Sequence, residues 1–164
     1  MSKMIKPDLA VPTDGRQSDR ALEIQRGTMR HLRQRGFASI PEVTLKSGRR
    51  ADLLAINAKG EIWIVEIKSS LEDFRADQKW PDYRDFCDRF FFATNHETSA
   101  EIFPEEAGFI IADSHGAEEL RSAPEHKLPA ARRKAVTLLF AKSAANRLHD
   151  VMDPGVPSRL GPDR

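Results

Sequence analysis

Three charged side chains stand near the ends of two apolar segments of this sequence. Asp52 lies near the start of RADLLAIN, and Glu66 and Lys68 lie at the end of EIWIVEIKSS. Ionised groups beside a buried sheet are costly unless they are paired, hydrogen-bonded or bound to a metal. The three groups therefore indicate either a metal-dependent catalytic site or a cluster of ion pairs that closes the edge of a sheet.

Strand periodicity predicts how these groups meet. Successive side chains of a strand alternate between its faces, so Glu66 and Lys68 share one face. A tight turn over residues 58–60 would return the chain antiparallel and bring Asp52 beside Glu66. Two adjacent carboxylates repel each other unless a cation lies between them.

The oxygen-rich character of this cluster favours a hard divalent cation, Mg²⁺ or Mn²⁺. The main-chain carbonyl of Ile67 would add a third oxygen ligand to Asp52 and Glu66. Lys68 would polarise an attacking water or stabilise charge that develops on a phosphate. These roles together predict hydrolysis of a phosphodiester.

The residues also carry a family resemblance. Ala51–Asp52, followed on the next predicted strand by Glu66–Ile67–Lys68, resembles the D…ExK pattern of the PD-(D/E)xK nuclease superfamily, with Ala51 where the name pattern has Pro. The resemblance implies an α/β fold with a restriction-endonuclease-like α-β-β-β-α-β core, in which helices flank a mixed central sheet. It also implies that Glu23, in the first predicted helix, adds a metal-binding carboxylate. The alternative for Glu23 is a solvated residue that pairs with a neighbouring arginine of its helix.

Four sequence blocks, two of which contain this motif, extend the resemblance to most of the chain, from about residue 20 to about residue 148. RADLLAIN, EIWIVEIKSS, DFRADQKWPDYRDFCDRFFFAT and GFIIAD together look like the bacterial MmcB-type DNA repair proteins. Several blocks in one order are more specific than ExK alone. This second resemblance implies a place in a DNA repair pathway.

Residues on both sides of the motif are candidates for contacting DNA. Arginines just before Asp52 are suited to the DNA backbone, and related nucleases often use Gln or Lys on the helix after ExK to contact phosphate. The predicted DNA contacts are Arg49, Arg50, Gln78 and Lys79. Trp80 and Tyr83 would stack on an unpaired base, belong to the core or wedge the bend at Pro81. Glu42 is expected at a solvated strand end.

The surrounding elements follow from periodicity and turn residues. A helix is expected over residues 18–36, with Ser18 as its N-cap, and a three-stranded antiparallel meander follows. A second helix, bent near Pro81, would make the third and fourth strands parallel, because a helical crossover connects them. The remaining expected elements are strands at 89–95 and 107–113, an edge hairpin at 116–128, and a closing helix that begins near Pro129.

Composition limits the class of protein. The chain has 164 residues, of which 40% are hydrophobic and 31% charged, which predicts one domain over 18–150 between a loose segment at 1–17 and a flexible tail at 151–164. The single Cys87 cannot form an internal disulfide and is expected to pack in the core. Without a membrane-length apolar run or the apolar centre of a secretory signal, the expected location is cytoplasmic, with no membrane partner.

The sequence therefore predicts a Mg²⁺- or Mn²⁺-dependent DNA nuclease that acts in DNA repair, with DNA as its partner and a possible homodimer or pathway protein besides. A net charge of +1 predicts that DNA contacts come from a local patch. The alternative is a DNA-binding or scaffolding repair factor that keeps the fold without turnover. A sugar- or nucleotide-metabolising enzyme is disfavoured, because no glycine-rich phosphate loop is present.

Overall fold

The structure is a computed structural model that describes residues 18–155. Its helices are α1 (Asp19–Gln34), α2 (Leu71–Ala76) and α3 (Ala130–Met152), with 3₁₀ helices η1 (Trp80–Phe86) and η2 (Ala100–Ile102). Its strands are β1 (Phe37–Thr44), β2 (Arg50–Asn57), β3 (Ile62–Ile67), β4 (Arg89–Thr94), β5 (Gly108–Ala112) and β6 (Ala117–Arg121). The predictions for residues 1–17 and 156–164 lie outside the described residues, and α3 continues two residues past the predicted domain end at 150.

The strands form one mixed sheet in the order β1-β2-β3-β4-β5-β6. Strands β1, β2 and β3 are an antiparallel meander, with Leu53 opposite both Pro41 and Val65. Strand β3 runs parallel to β4, and β4 runs parallel to β5. The predicted meander and the predicted parallel pair are therefore confirmed.

Helices cover both faces of this sheet and enclose two cores. The α1-side core contains Ile24, Leu53, Val65, Phe91 and Ile110, among others. The α3-side core lies beneath α3 and η1 and contains Val43, Leu54, Ile64, Phe92 and Val136, among others. Because β3 is buried on both faces, it reads as a nearly continuous apolar run. The predicted mixed α/β fold, a sheet flanked by helices, is confirmed.

Helix α1 begins and ends where its sequence signals predict. The Ser18 side chain accepts a hydrogen bond from the Ala21 N–H at 3.2 Å, and Gly36 follows the helix with φ +84°. Midway along the helix, Gly27 lies against main-chain carbonyls of the β5–β6 turn, so close that a Cβ there would sit 1.9 Å from Asp113 O. The missing side chain therefore sets how closely α1 approaches the sheet.

The segment after β3 differs from the single bent helix that was predicted. Helix α2 ends at Ala76, and Asp77 has extended backbone torsions before η1 begins at Trp80. The Asp77 side chain accepts a hydrogen bond from the Lys79 N–H at 3.0 Å, a local bond that competes with helix continuation. Pro81 lies in the first turn of η1, where its missing N–H costs nothing. The proline starts a 3₁₀ helix and does not bend a longer one.

The predicted edge hairpin is instead a single edge strand. Strand β6 pairs antiparallel with β5, and residues 122–129 then lead to α3 without regular structure. The buried Asp88 fixes this path, because its carboxylate accepts hydrogen bonds from the Leu128 N–H at 2.9 Å, the Ile62 N–H at 2.8 Å and the Arg133 guanidinium. Burial alone would raise the pKa of Asp88, but these hydrogen bonds and the Arg133 charge hold it below its usual range.

Two further expectations concern the chain as a whole. Cys87 is buried, as predicted, and burial raises the pKa of its thiol, which disfavours the reactive thiolate form. Among residues 18–155, none of the helices combines the length and the apolar character that crossing a membrane requires.

Candidate active site

The candidate site lies where β2 and β3 separate. At this end of the pair, the last residues in register are Leu53 and Val65. Beyond them, the Asp52 N–H donates to Glu66 Oε1 at 3.0 Å, and the Ile67 N–H donates to Asp52 Oδ2 at 2.8 Å. The two carboxylates thus stand where main-chain ladder bonds would otherwise form. The structure brings Asp52 and Glu66 together, as the strand register suggested.

This carboxylate pair is poorly hydrated. Glu66 is only 5% exposed, and burial raises its pKa well above the usual range, with the nearby Asp52 charge adding to the effect. Burial also raises the pKa of Asp52, although the hydrogen bond from Ile67 opposes the shift. A buried and a partly buried carboxylate that both resist ionisation favour the binding of a proton or a cation.

Lys68 follows on the same strand and has a charged partner. Its Nζ lies 2.7 Å from Asp77 Oδ2, and its backbone N–H donates to the Ala93 carbonyl of β4 at 2.9 Å. Both side chains of the ion pair are largely buried, at 11% and 17% exposure. Asp77 thereby fixes where the lysine ammonium points. Ile64 belongs to the α3-side core. Because side chains alternate along the strand, Glu66 and Lys68 lie on the same face of the sheet as Ile64.

Sequence reasoning did not identify Asp77 as a site residue. Its position depends on α2 ending at Ala76, which carries the next residue back towards the strand that holds Lys68. An acidic residue between two helical segments shortly after ExK was the only available signal, and many solvated turns share it.

Thr94, at the end of β4, is another residue near the site that the sequence did not indicate. Its side chain is fully buried, and within residues 18–155 its hydroxyl has no hydrogen-bond partner. The parallel register that places Ile67 opposite Ala93 makes Thr94 the neighbour of Lys68 on the adjacent strand. A polar group therefore lines the sheet next to the lysine.

The two aromatic candidates belong to the core. Trp80 stacks on Phe90 with ring centroids 5.6 Å apart, and Tyr83 stacks on the same ring at 5.8 Å. The Tyr83 hydroxyl donates to the Arg50 carbonyl at 3.0 Å, which ties η1 to the start of β2. Burial raises the pKa of Tyr83, and the carboxylates of the site raise it further. The un-ionised Tyr83 hydroxyl therefore supports the start of β2, and both rings are engaged in packing.

The four predicted DNA contacts lie on segments adjoining the site. Arg49 is partly buried and donates to Asp82 Oδ2 at 2.7 Å, whereas Arg50 is exposed and lies 3.9 Å from the Glu42 carboxylate. Gln78 and Lys79 are exposed immediately after Asp77, and the Gln78 side chain donates to the Arg75 carbonyl at 3.1 Å. Their contact with DNA stays a prediction.

Glu23 is not brought into contact with the pair. It is exposed on α1, which packs on the sheet face opposite the one that carries Glu66. Within the described range, no group of three or more His, Cys, Asp or Glu side chains is placed to hold a metal ion. The role of Glu23 towards a metal stays a prediction.

The residues present nevertheless fit a hard divalent cation. Mg²⁺ is commonly held by one or two carboxylates, with water and substrate phosphate completing its shell. Asp52 and Glu66 supply two carboxylates whose burial and mutual repulsion a cation would relieve. The donor set is therefore suited to Mg²⁺ or Mn²⁺ and lacks the sulphur and imidazole ligands that zinc prefers.

Fold and site together define a mixed α/β protein that carries a largely buried carboxylate pair and an oriented lysine at one end of its sheet. The family model described as "DNA repair protein MmcB-like" matches residues 9–155. The chain belongs to this family of MmcB-like DNA repair proteins. A solved structure of a protein of unknown function from Silicibacter pomeroyi is 44% identical, with a TM-score of 0.83 over 87% of this chain and 99% of that one. No curated protein matches the sequence.

Proposed function

We propose that this protein is a Mg²⁺- or Mn²⁺-dependent DNA nuclease of the PD-(D/E)xK type that acts in DNA repair. The observation that carries the proposal is the hydrogen-bonded pair of the buried Glu66 and the partly buried Asp52, with Lys68 following Glu66 on the same face of β3. The element order α1-β1-β2-β3-α2 followed by β4 agrees with the restriction-endonuclease-like core. Membership of a DNA repair family supports DNA as the substrate.

Each group of the site has a proposed task. Asp52, Glu66 and the Ile67 carbonyl would hold the cation, which when bound supplies Lewis acidity and a more acidic water. Lys68 would orient the attacking water and stabilise negative charge that develops on the phosphate. Asp77 would hold the lysine ammonium in place through their 2.7 Å contact. Arg49, Arg50, Gln78 and Lys79 would bind the DNA backbone beside the site.

The decisive experiment is cleavage of labelled duplex, nicked, flapped and single-stranded DNA in Mg²⁺, Mn²⁺ or EDTA. Wild type and Lys68→Ala are compared, with Lys59→Ala as a matched control because Lys59 is exposed in the distant β2–β3 turn. We expect metal-dependent cleavage by wild type and Lys59→Ala, and a fall of at least about 10²-fold in Lys68→Ala.

The same experiment tests the alternative of a non-catalytic DNA-binding or scaffolding factor. If wild type binds these DNAs and cuts none of them with either metal, the nuclease proposal is wrong. The search would then move to a partner protein that completes the site.

A further inference from the structure

In the β1–β2 hairpin, the regular alternation of side chains between the two sheet faces is interrupted at the level of Asp52. On β1, Ile40 and Val43 both contact the α3-side core, and on β2, Leu54 and Ala51 do the same. Residues three apart in a regular strand lie on opposite faces. Each strand therefore contains one irregularity between these residues, and the two irregularities lie opposite each other.

The irregularity in β1 is at Glu42. Its φ is +52°, which among residues 18–155 makes it the one non-glycine residue with positive φ. Such a conformation is energetically unfavourable for a residue with a side chain and persists only when its surroundings impose it. The register pairs Pro41 with Leu53 and Val43 with Ala51, so Glu42 faces Asp52 across the kink. The strained residue is therefore directly opposite the first carboxylate of the site.

Arg147 of α3 is the residue that meets this kink. One Nη of its guanidinium donates to the Pro41 carbonyl, and the other donates to the Glu42 carbonyl at 2.6 Å. Burial lowers the pKa of Arg147, and the Glu42 carboxylate partly offsets this. The planar guanidinium of arginine can donate to two successive carbonyls at once and fixes their relative geometry. A lysine ammonium can also donate to both, but it constrains their geometry less. The guanidinium thus stabilises the one place where β1 is strained.

We propose that Arg147 is a positioning residue, which holds the kink at Glu42 and thereby keeps the Asp52 carboxylate at the Ile67 N–H and beside Glu66. Without the guanidinium, Glu42 relaxes to extended backbone. Regular alternation of the strand then returns, and the side chains on one side of the kink move to the opposite face of the hairpin. Since Asp52 lies at the matching irregularity of β2, its side chain turns away from Glu66. The inference rests on the proposed function only in taking Asp52 as a metal ligand.

The first test uses the metal-free protein. We expect Arg147→Ala to shift the Ile67 amide proton upfield and to increase its hydrogen exchange in NMR spectra, because the bond to Asp52 is lost. Arg147→Lys should show a smaller change. Lys142→Ala, an exposed substitution on the same helix, should show none. An unchanged Ile67 amide in a folded Arg147→Ala would overturn the proposal.

The second test asks whether relief of the strain rescues the site. Glycine adopts positive φ without steric cost, so Glu42→Gly added to Arg147→Ala should restore the Ile67 amide signal. Calorimetric titration with Mn²⁺ should follow the same pattern, with binding weakened about 10–100-fold in Arg147→Ala and largely recovered in the double variant. A loss of stability with unchanged Mn²⁺ affinity would assign Arg147 to structure alone.

These readouts separate the two proposals. If wild type binds no Mn²⁺ but the Ile67 amide still responds to Arg147→Ala and recovers in the double variant, positioning stands and the metal role of Asp52 fails. If wild type binds Mn²⁺ and the double variant recovers neither signal, the positioning proposal is wrong and the nuclease proposal is untouched.

Discussion

At the scale of single residues, the site is defined by two carboxylates whose orientation is fixed by hydrogen bonds and whose ionised charge the protein only partly compensates. Backbone N–H groups of Asp52 and Ile67 orient the two carboxylates, yet neither group carries a full positive charge. The nearby lysine is already engaged by Asp77. Ionising both carboxylates therefore creates repulsion that the protein only partly offsets, and this property favours a bound cation over a closed ion-pair cluster.

Glu66→Gln is expected to stabilise the metal-free protein. The folded-state pKa of Glu66 lies above its ordinary value of 4.5, so its ionised form destabilises the fold increasingly as the pH rises above that value. The amide keeps an acceptor for the Asp52 N–H and removes the charge. The midpoint of thermal unfolding in EDTA should rise at pH 8 by a few degrees, at roughly 2–4 °C per kcal/mol, and change little at pH 4.

The matched control is Glu118→Gln on the exposed face of β6, which should change neither midpoint. Added Mn²⁺ should stabilise wild type more than Glu66→Gln. A Glu66→Gln variant less stable than wild type at pH 8 would contradict a strained carboxylate pair.

Asp77→Asn tests whether the lysine needs its partner. The substitution removes the charge that holds Lys68 Nζ at 2.7 Å but leaves the carboxylate pair intact. We expect DNA cleavage to slow by roughly 10–100-fold, as for other residues that orient a functional group, with Mn²⁺ affinity close to that of wild type. Asp85→Asn, exposed on η1, is the control. Cleavage by Asp77→Asn at the wild-type rate would remove Asp77 from the site.

At the scale of elements, the placement of α1 depends on a glycine. Gly27→Ala should raise intrinsic helix propensity, but the new methyl group would meet Asp113 O at 1.9 Å and Gly116 O at 2.4 Å. Both are backbone atoms, so the helix itself must shift, at an expected net cost of about 1–3 kcal/mol. Chemical denaturation measures this cost as a lower midpoint.

Gly116→Ala is the control for that substitution. A Cβ at Gly116 meets nothing within 4 Å, so stability should stay within about 0.5 kcal/mol of wild type. Equal effects at both glycines would show that α1 packs less tightly than its contacts with the β5–β6 turn indicate.

At the scale of the whole molecule, DNA binding cannot rest on a general positive field. The chain carries 26 basic and 25 acidic residues, so affinity for DNA is expected from a local group of cations, and we propose the cations beside the site as that group. Lys79→Ala should lower the slope of log affinity against log salt by about 1. Arg33→Ala, exposed on the last turn of α1, should leave it unchanged. Fluorescence anisotropy over a salt series checks both, and equal slopes in all three proteins would place the DNA elsewhere. A homodimer or a pathway partner stays a prediction.

Local patterns predicted the framework of the site. Capping predicts the helix that follows Ser18, short turns predict the antiparallel meander, and the helical crossover predicts that β4 runs parallel to β3. Each of these features has a recognisable sequence pattern. The approach of Asp52 to Glu66 follows from the same short-range register. These features can be predicted without reference to distant parts of the chain, because each depends on residues that are close in sequence.

Only the tertiary structure decided which distant groups complete the site. Asp77 reaches Lys68 because α2 ends early, and Trp80 and Tyr83 pack in the core because η1 lies flat against the sheet. Arg147 meets Glu42 across 105 residues because α3 docks along β1. The strain at Glu42 has no signature in its residue type. Such contacts depend on how whole helices and strands pack against one another. The free energy that favours one packing arrangement comes from many core residues together, and no single sequence motif contains it.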